Sequence, residues 1–237
     1  MFKAIASISR FQQKYLFRAN GKKHTATDDT AMRSLLKIPT LKMNIETLTL
    51  DSPLQLSINL TDEQFWQLCQ RNRDYRFEAN AKGDLIIMPP TGSDTGRRNS
   101  DIIVQLGIWN KQNKTGVIFD SSTGFTLANG AKRSPDASWI KLARWNSLTT
   151  EEQEKFAPIC PDLVVELRSK TDRLKPLQEK MQEYINNGAS LGWLIDRQNR
   201  QVEIYRVNRT VEIISSPNSL SGENVLPNFV LDLTEIL

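Results

Sequence analysis

The run "PDLVVELRSK" gathers apolar Leu163, Val164, Val165 and Leu167 around one carboxylate, Glu166. Period-two alternation assigns Leu163, Val165 and Leu167 to one face of a strand over 162–168, and Val164, Glu166 and Arg168 to the other. Upstream, "LTDEQFWQLCQRN" has a Thr61 cap, acids in its first turn and apolar residues at 65, 66, 68 and 69, which predicts a short helix. "YRFEANAKGDLIIMPP" predicts two strands around a Lys82-Gly83 turn, stopped by Pro89 and Pro90. In "SDTGRRNSDIIVQLGIWNKQN", Ile102, Leu106 and Trp109 recur at helical spacing. "GVIFDSSTGFTLANGAKRSPDASWIKL" then predicts a strand, a turn at Asn129-Gly130 and a further strand, and "LTTEEQEKFAP" a short capped helix. "TDRLKPLQEKMQEYINNG" places Leu174, Leu177, Met181 and Tyr184 on one helical face, with Gly188 as its stop. "LGWLIDRQNRQVEIYRV" predicts a hairpin turning near Gln198-Asn199, and "LSGENVLPNFVLDL" a tail with a short strand or pair. The central order is helix, three strands, helix, strand. A strand–helix–strand step implies a right-handed crossover and one parallel pair. The expected class is therefore α/β (α+β), a mixed central sheet flanked by helices.

Composition narrows the chemistry more than the fold. His24 is the sole histidine and sits in an unpatterned segment, which excludes Ser-His-Asp triads and His-based metal sites. Cys69 and Cys160 lie far apart without metal-ligand spacing, so neither a disulfide framework nor a thiolate cluster is expected. Carboxylates, lysines and hydroxyls remain for any catalysis. No run of roughly 18 apolar residues occurs, so no membrane span is expected, and the expected location is cytoplasmic.

The net charge of +4 has a lopsided origin. Residues 1–42 hold nine Lys or Arg and two acids, a balance of +7, which leaves −3 for residues 43–237. The basic sign thus belongs to the first segment, read as a poorly ordered extension. A phosphate-touching arm and an Arg- and Ser-rich transit segment are the alternatives. A single domain is expected over 43–237.

Asp136, in "RSPDASWI", shares the situation of Glu166: an acid in or beside a strand signal. A lone acid of this kind ordinarily faces solvent, and an Asp after Pro ordinarily opens a turn. Two such acids on adjacent strands, about 4.7–4.9 Å apart, can instead converge on one hard cation. For Glu166 the alternative partner is Arg168, on the same strand face.

Taken in order, "GDLIIMPPTGSDTGRRN", "SPDASWIKLARW", "CPDLVVELRSKTDRLKPLQEKMQEY" and "LGWLIDRQNRQVEIYR" resemble the PD-(D/E)XK nuclease superfamily. The closer likeness is to the Uma family of restriction-endonuclease-like proteins of cyanobacterial type, over roughly residues 55–237. The resemblance implies a restriction-endonuclease-like core and a metal-dependent endonuclease acting on DNA. The other reading is a non-catalytic DNA-binding or protein-interaction module that keeps the fold. The resemblance also implies Mg²⁺ or Mn²⁺ at Asp136 and Glu166, with the Leu167 carbonyl as a third ligand and Glu78 completing the shell. Asp101 is the substitute for Glu78. The superfamily lysine two positions after the second acid is here Arg168, a poor proton acceptor, so Lys180 on the following helix is taken as its replacement. Ser169 matches the family, while Lys170 stands where relatives usually carry proline. Arg97, Arg98 and Arg168 are the candidate phosphate contacts, with Asn99 beside them. Trp139, Trp145 and Trp193 read as packing residues. A homodimer is the assembly compatible with cutting both strands.

Overall fold

The computed structural model describes residues 53–237. The basic extension expected over 1–42, and residues 43–52 at the expected start of the domain, lie outside the described residues. The chain opens with β1 (Leu54–Leu56), α1 (Asp62–Arg71), β2 (Arg76–Ala79), β3 (Leu85–Met88) and α2 (Ser93–Asn113). It continues through β4 (Gly116–Asp120), β5 (Phe125–Thr126), β6 (Lys132–Arg133), β7 (Ala137–Lys141), α3 (Leu142–Trp145) and α4 (Thr150–Glu154). Then come β8 (Leu163–Leu167), α5 (Leu174–Asn186), β9 (Leu191–Asp196), β10 (Gln201–Arg206) and β11 (Glu212–Ser215). β12 (Ser219–Ser221) and β13 (Val230–Asp232) finish as an antiparallel pair.

The larger sheet has six strands in the order β11-β10-β9-β8-β7-β4. β8 and β9 run parallel and every other pair is antiparallel. The parallel pair is joined by α5, as the strand–helix–strand pattern predicts. A smaller sheet, β1-β3-β2-β6-β5, is antiparallel throughout.

The turn at Asn129-Gly130 forms, with Gly130 at φ +85°, but it joins β5 to β6 in the smaller sheet rather than leading into the larger one. Pro135 offers no N–H to prolong the β6 ladder. The chain therefore leaves that sheet at Ser134-Pro135-Asp136 and re-enters the larger one as β7, pairing with β4 and β8.

Helices cover both faces of the larger sheet. Ile102, Leu106 and Trp109 of α2 pack with Trp139, Leu163, Val165 and Trp193. Met181, Tyr184 and Ile185 of α5 pack with Val164, Leu194 and Tyr205 on the opposite face. β8 is buried on both sides, and each of its aliphatic side chains contributes about 1.5–3 kcal/mol of burial. Its alternation is the one read from sequence, so Glu166 looks toward α5. α1 closes on the smaller sheet through Phe65, with Phe77 and Leu85. Thr61 and Gln64 form its capping box.

Candidate active site

The site lies where the chain passes from the smaller sheet to the larger. The β7–β8 register runs Ser138↔Val164 and Ala137↔Val165, and its next step sets Asp136 across from Glu166. Asp136 Oδ2 accepts the Leu167 N–H at 2.9 Å, and Oδ1 accepts Asn99 Nδ2 at 3.0 Å. From α5, Lys180 Nζ lies 2.7 Å from Glu166 Oε1 and 2.8 Å from Glu78 Oε1. Tyr184, one turn further along the helix, donates its hydroxyl to the same Glu166 Oε1 at 3.1 Å.

Glu78 reaches the cluster from β2. Its Oε2 accepts Arg133 Nη1 at 3.1 Å, and its Oε1 also accepts the Ser134 N–H at 3.1 Å. Arg133 is shared, since its Nε donates to Glu183 Oε2 at 2.6 Å. Glu78, Glu166 and Lys180 are all buried, and Asp136 is partly exposed. The four residues expected to converge do so.

Three carboxylates here face Lys180 and a divided Arg133. Burial pushes Glu166 up to about 7, with Asp136 and Glu78 adding to the rise against the pull of Lys180. Burial acts the same way on Glu78, but Lys180 and Arg133 together outweigh it and hold the group down to about 2. The carboxyl of Asp136 is also raised, burial prevailing over the Leu167 N–H and the charges of Lys180 and Arg76. For Lys180, burial works against the charge, yet Glu166 and Glu78 prevail and raise its pKa, so it is an ammonium near neutral pH.

The donor set fits a hard divalent cation. Each Asp136 oxygen carries one N–H donor and keeps a lone pair. Glu166 Oε1 takes both Lys180 and Tyr184, which leaves Oε2 free among the described residues. A carboxyl lifted to about 7 by burial and like charge is one that a cation would bring down again. Glu78 stands differently from the expectation of a completed shell. Both of its oxygens are occupied by Lys180, Arg133 and an amide, and among the described residues no three of His, Cys, Asp and Glu form a metal-ligating group.

The larger sheet, its α5 crossover and the acids at its seam can be set beside known proteins. The family model described as "Uma2: Putative restriction endonuclease" matches residues 62–234. The chain belongs to the Uma2 family. Its fold is similar to a crystal structure titled "a putative nuclease belonging to DUF820 from Anabaena variabilis". That match has TM-score 0.62 and 19% identity, and covers 74% of this chain and 96% of the other. A comparison with curated proteins finds no match.

Other candidate residues of this Uma2 protein are engaged elsewhere. Arg168 does not pair with Glu166: its Nη1 donates to Asp196 Oδ2 at 2.8 Å and its Nε to the Asp172 carbonyl at 3.2 Å. Arg98 donates to the carbonyls of Glu235 and Ile236, and Arg97 to the Glu235 carbonyl and to Asp101. Asp101 is thus a partner of Arg97 on the outer side of α2. The Ser169 N–H donates to Asp172 Oδ2 at 2.8 Å, closing the turn that carries Lys170. Trp139 and Trp193 are core residues, and Trp145 packs on Phe119.

Arg133 and the hydroxyl of Tyr184 were missed as site groups. Tyr184 was legible only as a buried helix residue, although its position four after Lys180 puts the two on one face. Asn99 had a clearer signal: it precedes Ile102 by three and Leu106 by seven, on the inward face of α2. Nothing in the pattern around Arg133 marks it as buried.

Proposed function

We propose that this Uma2 protein is a metal-dependent endonuclease that hydrolyses phosphodiester bonds in DNA. The observation that carries the reading is the Lys180 ammonium bridging Glu166 and Glu78, with Asp136 across the sheet from Glu166. Asp136, Glu166 and the Leu167 carbonyl would hold Mg²⁺ or Mn²⁺, with Glu78 behind them as the partner of Lys180. When bound, the cation supplies Lewis acidity toward a phosphoryl oxygen. Before the cation binds, Glu166 holds a proton below about pH 7, and taking the cation at Oε2 would displace it. Lys180 remains charged and steadies the negative charge that builds on the phosphoryl group. Arg133 and Tyr184 fix the rotamers of Glu78 and Glu166 without touching the reacting atoms. Cutting both strands calls for two such sites, which a homodimer supplies.

The test is incubation of the purified protein with supercoiled, linear and single-stranded DNA in Mg²⁺ or Mn²⁺. The expected result is cleavage that falls about a hundredfold or more in Asp136→Ala and Glu166→Gln. No cleavage of any form, or equal cleavage by wild type and both variants, refutes it. The second reading, a DNA-binding module without catalysis, draws on Arg168 being locked to Asp196 at the usual lysine position. Binding of DNA without cleavage, indifferent to Asp136→Ala, would select it.

A further inference from the structure

Most cations around the seam have acids of their own. Lys180 holds Glu78 and Glu166, Arg133 holds Glu78 and Glu183, Lys132 holds Asp62, and Arg168 holds Asp196. Arg76 does not: among the described residues no carboxylate lies within ion-pair distance of it. Strand alternation puts Arg76 on the same face of β2 as Glu78, with Phe77 turned to the opposite core. The Arg76 Cα stands one strand repeat, about 7 Å, from that of Glu78, on the side of the loop that leads into α2. Among the described residues its Nη1 makes one long contact, 3.5 Å, to Thr91 Oγ1, and its Nε is buried with no hydrogen-bond partner. Its charge bears on Asp136.

A second unfilled group adjoins the same carboxylate. Asn99 is 7% exposed, its Nδ2 is committed to Asp136, and its Oδ1 is buried without a partner among the described residues. A buried polar atom left unsatisfied costs about 1–3 kcal/mol. A guanidinium donor and an amide acceptor near Asp136 are thus both left unsatisfied among the described residues. An anionic oxygen can accept from the first, and a water beside that anion can donate to the second.

We propose that Arg76 is a phosphate-contacting residue, whose guanidinium receives a non-bridging oxygen of the phosphodiester lying over Asp136 and Glu166. The assignment rests on the nuclease reading for its substrate, but its chemistry is that of a planar cation fork for a phosphate. Asn99 is the accompanying positioning residue, orienting Asp136 through Nδ2 while its Oδ1 accepts from a water on the substrate side.

The experiment measures two things on wild type, Arg76→Gln and Arg76→Lys at equal folded fraction. One is binding of thymidine 3′,5′-bisphosphate by calorimetry, and the other is Mg²⁺ binding without nucleotide. The expected result is a loss of nucleotide affinity of tenfold or more in Arg76→Gln, partial recovery in Arg76→Lys, and Mg²⁺ affinity unchanged within threefold. Where DNA cleavage is measurable, KM should rise and kcat fall together in Arg76→Gln. Nucleotide affinity that ignores both substitutions, or is absent from wild type, overturns the assignment. Nucleotide binding that depends on Arg76 in a protein that cleaves no DNA upholds the assignment and sinks the nuclease reading instead. If Arg76→Gln does not fold, Arg76→Lys alone decides, since it keeps the charge and removes the fork.

Discussion

Replacing Lys180 by methionine removes the one cation among the described residues that touches both Glu78 and Glu166. Breaking a buried ion pair from one side costs about 3–5 kcal/mol, because the partner is left charged and dry. Here the cost depends on pH in a way the site itself dictates. Glu166 is raised to about 7 in the folded protein, against an ordinary value near 4.5. A carboxyl raised on folding contributes stability that is fully present below about pH 4.5 and is lost as pH rises toward its folded pKa. In wild type that loss ends near pH 7, where Glu166 ionises against Lys180. Without Lys180 the folded pKa climbs further, and the loss continues at about 1.4 kcal/mol per pH unit. Between pH 7 and 8.5 the variant should fall behind wild type by about a further 2 kcal/mol. Urea unfolding followed by tryptophan fluorescence in chelator, at pH 5.5, 7 and 8.5, measures this directly, since Trp139 and Trp193 are buried. A deficit that is the same at all three pH values, or below about 1 kcal/mol throughout, would refute the argument that Lys180 compensates buried charge.

Two further outcomes follow from the same geometry. At the proposed metal site Mg²⁺ would displace the proton that Glu166 holds below about pH 7, so affinity should weaken as pH falls from 7 to 5.5, approaching about tenfold per unit. Calorimetry in buffers of different ionisation enthalpy should show the proton released, and binding insensitive to pH would remove Glu166 from the ligand set. Gly116→Ala would set a Cβ 2.3 Å from the Ile140 carbonyl oxygen and 2.3 Å from the Trp139 ring. It should cost about 1–3 kcal/mol in urea unfolding without altering Mg²⁺ affinity, and a neutral substitution would mean that β4 can move away from β7.

The path of the chain between the two sheets explains what sequence could and could not reveal. Glu166 stood out because an apolar strand buried on both sides has no ordinary place for a carboxylate, and α5 followed from four apolar residues at helical spacing. The excursion of β5 and β6 into a second sheet was not legible. Two-residue strands carry no periodicity, and a turn at Asn129-Gly130 looks the same whichever sheet receives the next strand. Arg133 was hidden for that reason. Its burial depends on the smaller sheet closing against α5, a long-range contact that no local pattern encodes. Arg97 and Arg98 misled in the opposite direction: an Arg-Arg pair at a helix start suggests phosphate, yet the C-terminal carbonyls take both.

Arg168 and Lys180 together bear on how a cation is supplied to Glu166. A side chain two residues after Glu166 on a strand shares its face, so Arg168 would stand beside it if β8 continued. β8 ends at Leu167, and the Arg168 N–H still bonds the Ile195 carbonyl while its guanidinium swings to Asp196 at the end of β9. That ion pair fixes the β8 end to the β9–β10 hairpin, where Asp196 also accepts from Gln198 and Asn199. The position next to Glu166 is then open to a side chain from the helix packed above it. Lys180 is seven residues into α5 and one turn before Tyr184, on the face that covers Val164, so its ammonium descends onto Glu166 from above the sheet rather than along the strand. Reversing the two roles should therefore fail: Arg168→Lys shortens the reach to Asp196 and loosens the hairpin, without restoring a cation to Glu166 when Lys180 is methionine. A double variant whose unfolding recovers wild-type pH dependence would show that the strand position still reaches the carboxylate.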